Sequence, residues 1–212
     1  MYIPPFNKQE NLDELCRFMQ QNNFITLVSH FDNELMATHL PVMVERKADD
    51  FFITGHLARA NDQVKALPET EVLAIFSGPH AYISPSHYEK LESVPTWNYA
   101  AVHAYGKPEC FSYKEAPERL EAMLMHLVRG HEASYETQWS HLSDKFKQGM
   151  MQGIVAFEMK VERLEGKYKL SQNRSLVEQK NVARALSQSQ NSAIAETGQM
   201  MGLELDAKTD LS

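Results

Sequence analysis

The chain has 212 residues, 43% hydrophobic and 23% charged, ordinary usage for one large globular domain or one domain with an appendage. Two cysteines, Cys16 and Cys110, exclude a disulfide framework, and 21 Lys and Arg against 28 Asp and Glu leave a formal net charge of −7, which disfavours a duplex-DNA binder built on phosphate neutralisation. No apolar run is long enough to span a membrane, and MYIPPFNKQENLDE has neither part of a secretory signal, so a cytoplasmic protein without membrane contact is expected.

Leu12, Leu15, Phe18 and Met19 recur at helical spacing and predict a first helix over 11–21. A hairpin follows: FITLVSHF (24–31) is rich in β-formers, Asp32-Asn33 signals a turn, and 35–45 runs back. Pro41 within that return predicts an edge position or a bulge. After a turn at Asp49-Asp50, 51–54 predicts a strand, and a short helix ends at Leu67, before Pro68. Residues 71–77 and 81–83 read as strands broken at Gly78-Pro79, and 96–107 as another. The face shared by Ala116, Leu120, Met123, Leu124, Leu127 and Val128 predicts an amphipathic helix over 114–129, with a second over 140–151. Residues 154–164 predict a long strand, Glu165-Gly166 a turn and 167–170 its partner. A polar, helical tail follows, Gln- and Ser-rich over 187–192, with a weak last helix near Met201.

Hairpins without regular β–α alternation predict a mostly β fold with added helices, an antiparallel barrel of six to seven strands rather than a doubly wound sheet. The barrel domain is expected over 1–175, with helices inserted at about 114–150 and 176–212 as a C-terminal arm.

Three stretches carry candidate chemistry. In Thr54-Gly55-His56-Leu57-Ala58-Arg59-Ala60-Asn61 a strand hands over to a short helix. Gly55 would admit close backbone approach, the helix start would offer free N–H groups, and Arg59 a bidentate fork, together a seat for a phosphate. The bland reading is an ordinary turn with a surface arginine. The segments 81–88 and 94–99, containing Tyr82, Tyr88, Trp97, Asn98 and Tyr99, could wall a planar heteroaromatic ligand, or be a core aromatic cluster. GKYKLSQNR (166–174) groups Lys167, Lys169 and Arg174 with Ser171, Gln172 and Asn173, able to bind an anion or a cofactor's polar edge, or to be a solvated strand end. Nine histidines lack metal-ligand spacing, so no metal is expected. Walker, Gly-x-Gly-x-x-Gly and Gly-x-Ser-x-Gly motifs are absent, as is a compact helix-turn-helix.

Six stretches in order, MYIPPF (1–6), ATHLP (37–41), GHLARAN (55–61), AIFSGPHAYISPSHY (74–88), VPTWNYAAVHAYG (94–106) and LEGKYKLSQNR (164–174), resemble the PaiB family, the FMN-binding negative transcriptional regulators of bacteria. Family members often carry a Lys-rich insertion before VPTWNY, where this chain has the short, mixed YEKLES. The resemblance implies an FMN-binding split barrel related to pyridoxamine-phosphate oxidase, a homodimer with FMN at the subunit interface. It implies Thr54, Arg59, Ala60 and Asn61 at the phosphate and Trp97, Asn98, Tyr99, Lys169, Ser171, Gln172 and Asn173 around the flavin; His56 is also expected at the cofactor, and in an oxidoreductase His56, His103 or Tyr99 could be proton donors near the ring. Three functions follow: a flavin-binding negative regulator, an FMN-dependent oxidoreductase, or an interaction module that lost the flavin. DNA stays a candidate partner with little support from charge, since no basic run exceeds two residues.

Overall fold

The computed structural model describes residues 1–209. The last three residues of the predicted arm, 210–212, lie outside the described residues. The chain divides into two compact units. The larger comprises Leu12–Phe76 and His103–Leu164; the smaller comprises Met1–Asn11, Ser77–Val102 and the chain from Glu165 onward. Among the described residues ten strands fall into two sheets, joined by seven α-helices. The mostly antiparallel β class with added helices is as expected.

In the larger unit, α1 (Leu12–Gln21) buries Leu15, Phe18 and Met19, the stripe that its spacing announced. β2 (Phe24–Phe31) and β3 (Glu34–Pro41) form a hairpin, with Leu27 opposite Thr38. Its turn residues Asp32 and Asn33 have φ of 50° and 64°, and a two-residue turn of that hand matches the twist of the flanking strands. β3 lies at its sheet's edge, where the missing N–H of Pro41 is tolerated. The predicted return strand 35–45 is in fact two strands in different sheets. At Val42, fully buried and with its N–H donating to the Asn23 carbonyl at 2.9 Å, the chain leaves β2. β4 (Met43–Lys47) then pairs with β5 (Asp50–Ala58).

β5 continues four residues past its predicted end at Thr54. The reason is its partner: β9 (Ile154–Lys160) pairs with it from Phe52 to Ala58. β8 (Pro108–Ser112), unforeseen in the sequence, pairs with the other side of β9 and completes the order β4-β5-β9-β8. The return to the next strand comes at Val161-Glu162 rather than at Glu165-Gly166. There the Val161 N–H donates to the Phe51 carbonyl at 2.9 Å and the Glu162 N–H to that of Tyr105 at 2.8 Å. α2 (Gln63–Ala66) is a single turn. The insert holds three helices: α3 (Pro117–Glu132), α4 (Tyr135–His141) and α5 (Asp144–Gln152). Pro117 begins α3 because a first-turn residue needs no N–H partner. Leu120 and Met151 from this insert pack with Phe111 and Ala156.

β6 (Val72–Ile83) runs unbroken through Gly78-Pro79; its first residues pair with β2, Ala74 opposite Leu27, in the larger unit. The predicted break lies just after the point where the strand enters the smaller unit. That unit takes the start of β7 (Thr96–Gly106), most of β10 (Arg163–Lys169) and β1 (Lys8–Gln9), whose Lys8 faces Lys167. The strand count exceeds the six or seven expected because 35–45 splits and β1 and β8 add to it. α6 (Leu176–Ser187) opens with a capping box between Ser175 and Glu178, and with α7 (Ser192–Thr209) buries Val182, Thr197 and Met201. No helix among the described residues is long and apolar enough to cross a membrane.

Two glycines test this packing. A Cβ on Gly130, inside α3, meets nothing within 4 Å, whereas one on Gly106 runs into the Lys160 carbonyl and the Met159 side chain. Gly130→Ala is expected to stabilise by about 0.5–1 kcal/mol through helix propensity, and Gly106→Ala to destabilise. Urea midpoints of the two variants check the pair.

Candidate functional site

The best-formed cluster in the larger unit lies where β5 ends. The Arg59 N–H donates to the Gly153 carbonyl at 2.8 Å, its Nε to that of Gln152 at 2.7 Å and its Nη2 to that of Ile154 at 3.4 Å. Gln152 and Gly153 end α5, where unpaired carbonyls and the negative end of the helix dipole attract a cation. A guanidinium has five N–H donors; with two so held, three remain. Beside it opens a cavity of about 450 Å³ lined by Arg59, Tyr113, Lys114 and Gln152. Glu115 follows Lys114, and its carboxylate accepts from the Ser112 hydroxyl at 2.6 Å and the Ser112 N–H at 2.9 Å. These bonds, helped by the Arg59 and Lys114 charges, hold its pKa below the usual carboxylate value. Glu115 shares the field of the two cations but forms no ion pair with either among the described residues, and an arginine beside a lysine at one cavity could take a phosphate monoester.

The rest of the predicted phosphate seat is differently used. Gly55 sits in mid-strand opposite Phe157, and a Cβ there would lie 3.0 Å from the Phe157 ring and 3.1 Å from Val42. Its smallness therefore serves strand packing, not approach to a ligand. The helix starts at Gln63 rather than within 55–61, and the Asn61 carboxamide oxygen already accepts the Gln63 N–H at 2.9 Å, while its NH2 donates to Thr38 at 2.9 Å. Thr54 pairs with Met43 and Glu158 within the sheet, and Ala60 is exposed. His56 lies opposite Ala156; its Nδ1 is buried without a hydrogen-bond partner, and burial pushes its pKa down.

Of the other predicted site residues, His103 stands on β7 in the larger unit and the rest belong to the smaller unit. β7 carries Trp97, Asn98 and Tyr99, and the chain leaving β10 carries Lys169 and 171–173. Trp97 is exposed and meets His80 and Tyr82 at ring-centroid distances of 6.1 and 6.0 Å. Asn98 is fully buried: its NH2 donates to the Ser171 hydroxyl at 2.9 Å and approaches the Met201 sulfur at 3.4 Å. Ser171, with φ of 65°, holds a left-handed turn that a non-glycine residue rarely adopts, and Asn98 pins it. Gln172 braces the same turn, accepting the Leu170 N–H at 2.7 Å and donating to the Tyr168 carbonyl. Tyr99 lies 5.1 Å beneath the Lys167 ammonium. Asn98, Ser171 and Gln172 thus brace the fold; Asn98 and Ser171 also border a cavity that Tyr88, Lys169, Asn173 and Arg174 line. Asn98→Ala should lower stability by about 1–3 kcal/mol through the unpaired Ser171 hydroxyl. Flavin retained by this variant at the wild-type level, read from its visible spectrum, would separate structure from ligand contact.

Sequence reasoning passed over Tyr113, Lys114 and Gln152 because they sat at predicted helix ends. Tyr88 and Arg174 closed two of the quoted stretches but had no spacing signal of their own.

The chain matches, over residues 1–163, the model of the family described as "Putative FMN-binding domain". It is 40% identical over 202 residues to the protease synthase and sporulation protein PAI 2 of Bacillus subtilis, covering 95% of this chain and 96% of that protein. Among solved structures it resembles the flavocytochrome Anf3 of Azotobacter vinelandii (TM-score 0.54, 15% identity, 73% of this chain and 66% of that one). It also resembles the FAD and heme binding protein of Mycobacterium smegmatis (TM-score 0.54, 12% identity, 77% of this chain and 73% of that one). At such identities the likeness speaks for the fold, that of the flavin-binding split barrels. The chain belongs to the FMN-binding PaiB family, and its cofactor is FMN.

Proposed function

We propose that this protein binds FMN as a homodimer, with the flavin phosphate between Arg59 and Lys114, and lowers the expression of target genes. The observation that carries the binding site is the cavity at Arg59, where three guanidinium N–H donors and a second cation face open space. Arg59 orients the phosphate, its plane held by the Gln152 and Ile154 carbonyls, and Lys114 adds charge without fixed geometry. Thr54 and the Ala60 backbone flank this seat in the same reading. When bound, the isoalloxazine supplies one- and two-electron redox chemistry.

The regulatory half rests on the family and on a relative named for protease synthase and sporulation. A net charge of −7 favours control through a protein partner or a sensed small molecule over direct DNA contact. A second reading, an FMN-dependent oxidoreductase acting on a small molecule, is favoured by His56. Its buried Nδ1 without a partner belongs to an imidazole kept neutral at pH 7, able to take or give a proton.

The test is a visible spectrum after FMN addition and desalting, with light scattering for mass. A retained flavin band and a particle of twice 24.2 kDa are expected; a colourless protein or a monomer overturns the corresponding part. Rapid flavin reduction by a nicotinamide donor, lost in His56→Phe, would favour the enzyme. A DNA mobility shift that weakens with salt would favour direct regulation.

A further inference from the structure

The smaller unit encloses a cavity of about 260 Å³ whose walls include Phe6, Tyr88, Thr96, Lys169, Asn173 and Arg174. None of its lining residues is Asp or Glu, so two cations border it without a counter-charge. Lys169 donates to the Thr96 hydroxyl at 2.5 Å and to the Trp97 carbonyl, which leaves one of an ammonium's three N–H groups unspent. Arg174 lies over the Tyr88 ring, its Cζ 3.9 Å from the centroid, and its guanidinium makes no hydrogen bond or ion pair among the described residues, its backbone alone bonding to Ser171 and Gln179. The Tyr88 hydroxyl is buried with no hydrogen-bond partner, a state native proteins keep rare unless a water or ligand meets it. Burial, with the Lys167 charge added, holds Lys169 below the ordinary amine pKa, the condition of a cation lacking an anion. Phe6, Val94 and the proline rings of Pro4 and Pro95 form an apolar part of the wall, and the neutral Asn7, Asn98 and Ser171 complete it.

We propose that this cavity binds a small organic carboxylate with a flat apolar body, a ligand separate from FMN. Its carboxylate meets Lys169 and Arg174, its body lies against Phe6 and Tyr88, and its polar edge reaches the Tyr88 hydroxyl. A volume near 260 Å³ falls below the about 300–1,000 Å³ of sites for drug-sized ligands, so a single ring fits and a three-ring flavin with its ribityl phosphate does not. A monoanion is preferred because stripping water from a dianion in a partly dry site costs more. The assignment goes beyond the FMN site at Arg59 and does not depend on it.

Calorimetric titration with benzoate, against benzyl alcohol and inorganic phosphate, tests it on the full chain loaded with FMN. Saturable benzoate binding is expected, weakened at least tenfold in Lys169→Met and in Arg174→Gln, with benzyl alcohol at least tenfold weaker than benzoate. Phosphate should not displace benzoate, and the flavin band should persist with benzoate bound. Arg174→Gln, at a half-exposed position, keeps the test open if Lys169→Met fails to fold, which circular dichroism would show. Benzoate that does not saturate, that binds both variants as well as the wild type, or that phosphate displaces overturns the proposal. So does mutual exclusion of benzoate and FMN, which would hand the cavity to the flavin. Failure of the FMN site itself reads out separately, as absence of the flavin band.

Discussion

Arg59→Ala is expected to weaken FMN binding about ten- to hundredfold while leaving riboflavin binding within about twofold. A charge-assisted contact to a phosphate contributes about 1.5–3 kcal/mol, and each 1.4 kcal/mol is a factor of ten. Riboflavin lacks the phosphate, so it isolates that contact from everything the ring touches. Arg59 also ties the end of β5 to the Gln152 and Ile154 carbonyls, so the variant loses a brace as well. That loss would weaken both ligands alike. Fluorescence titration of each flavin therefore separates the two roles: a parallel fall in both affinities would reduce Arg59 to a structural tie. Arg59→Lys should lie between, because a lysine keeps the charge but not the fork. Lys114→Ala should act in the same direction and less strongly, since its side chain is exposed.

Phe157→Ala should destabilise the protein by about 3–5 kcal/mol, the usual range for emptying a buried phenylalanine site. Phe157 has no solvent exposure and stands in β9 between Gly55 on one side and Cys110 on the other. Its ring occupies the space that the missing Gly55 side chain leaves. Against a typical folding free energy of about 5–15 kcal/mol, such a loss is about a fifth or more. Gly55→Ala should fail for the opposite reason, overpacking, at about 1–3 kcal/mol. The double variant Gly55→Ala/Phe157→Leu should be less destabilised than the sum of its single changes, because the shorter leucine withdraws the ring atoms that the new methyl would meet. Urea unfolding at constant slope measures the wild type, Phe157→Ala, Gly55→Ala, Phe157→Leu and the double variant. Strict additivity would mean that Gly55 and Phe157 do not share that space.

Much of this architecture is legible along the chain. Leu15, Phe18 and Met19 announce α1, Asp32-Asn33 announces a turn that only tolerant residues make, and Pro41 announces an edge. Each is a local signal, carried by spacing or by backbone preference, and the fold honours it. The errors share one cause. At Gly55 and at Glu165-Gly166 the residues carry turn signals, yet the strands run on where a partner strand pairs with them, Phe157 opposite Gly55 and Gln9 opposite Gly166, and β6 likewise runs on through Gly78-Pro79. The split of 35–45 at Val42 is a choice between two sheets, which no single strand records.

The functional reading divides in the same way. By itself the sequence determined the family, through six stretches of ordered identity, and with it the cofactor, the split-barrel class and Arg59 as a cation at a strand's end. Only the tertiary structure decided what each side chain is free to do. Asn98, Ser171, Gln172 and Asn61 read as ligand groups because they are polar; in the fold their donors and acceptors are largely consumed by one another and by nearby backbone. Lys114 gave no pattern, Tyr88 and Arg174 read only as members of an aromatic and a cationic stretch, and all three acquire a definite place from the cavities they line. The physical reason is that chemical type is a property of one residue, whereas an unspent hydrogen bond or an uncompensated charge belongs to all the neighbours that folding brings to it.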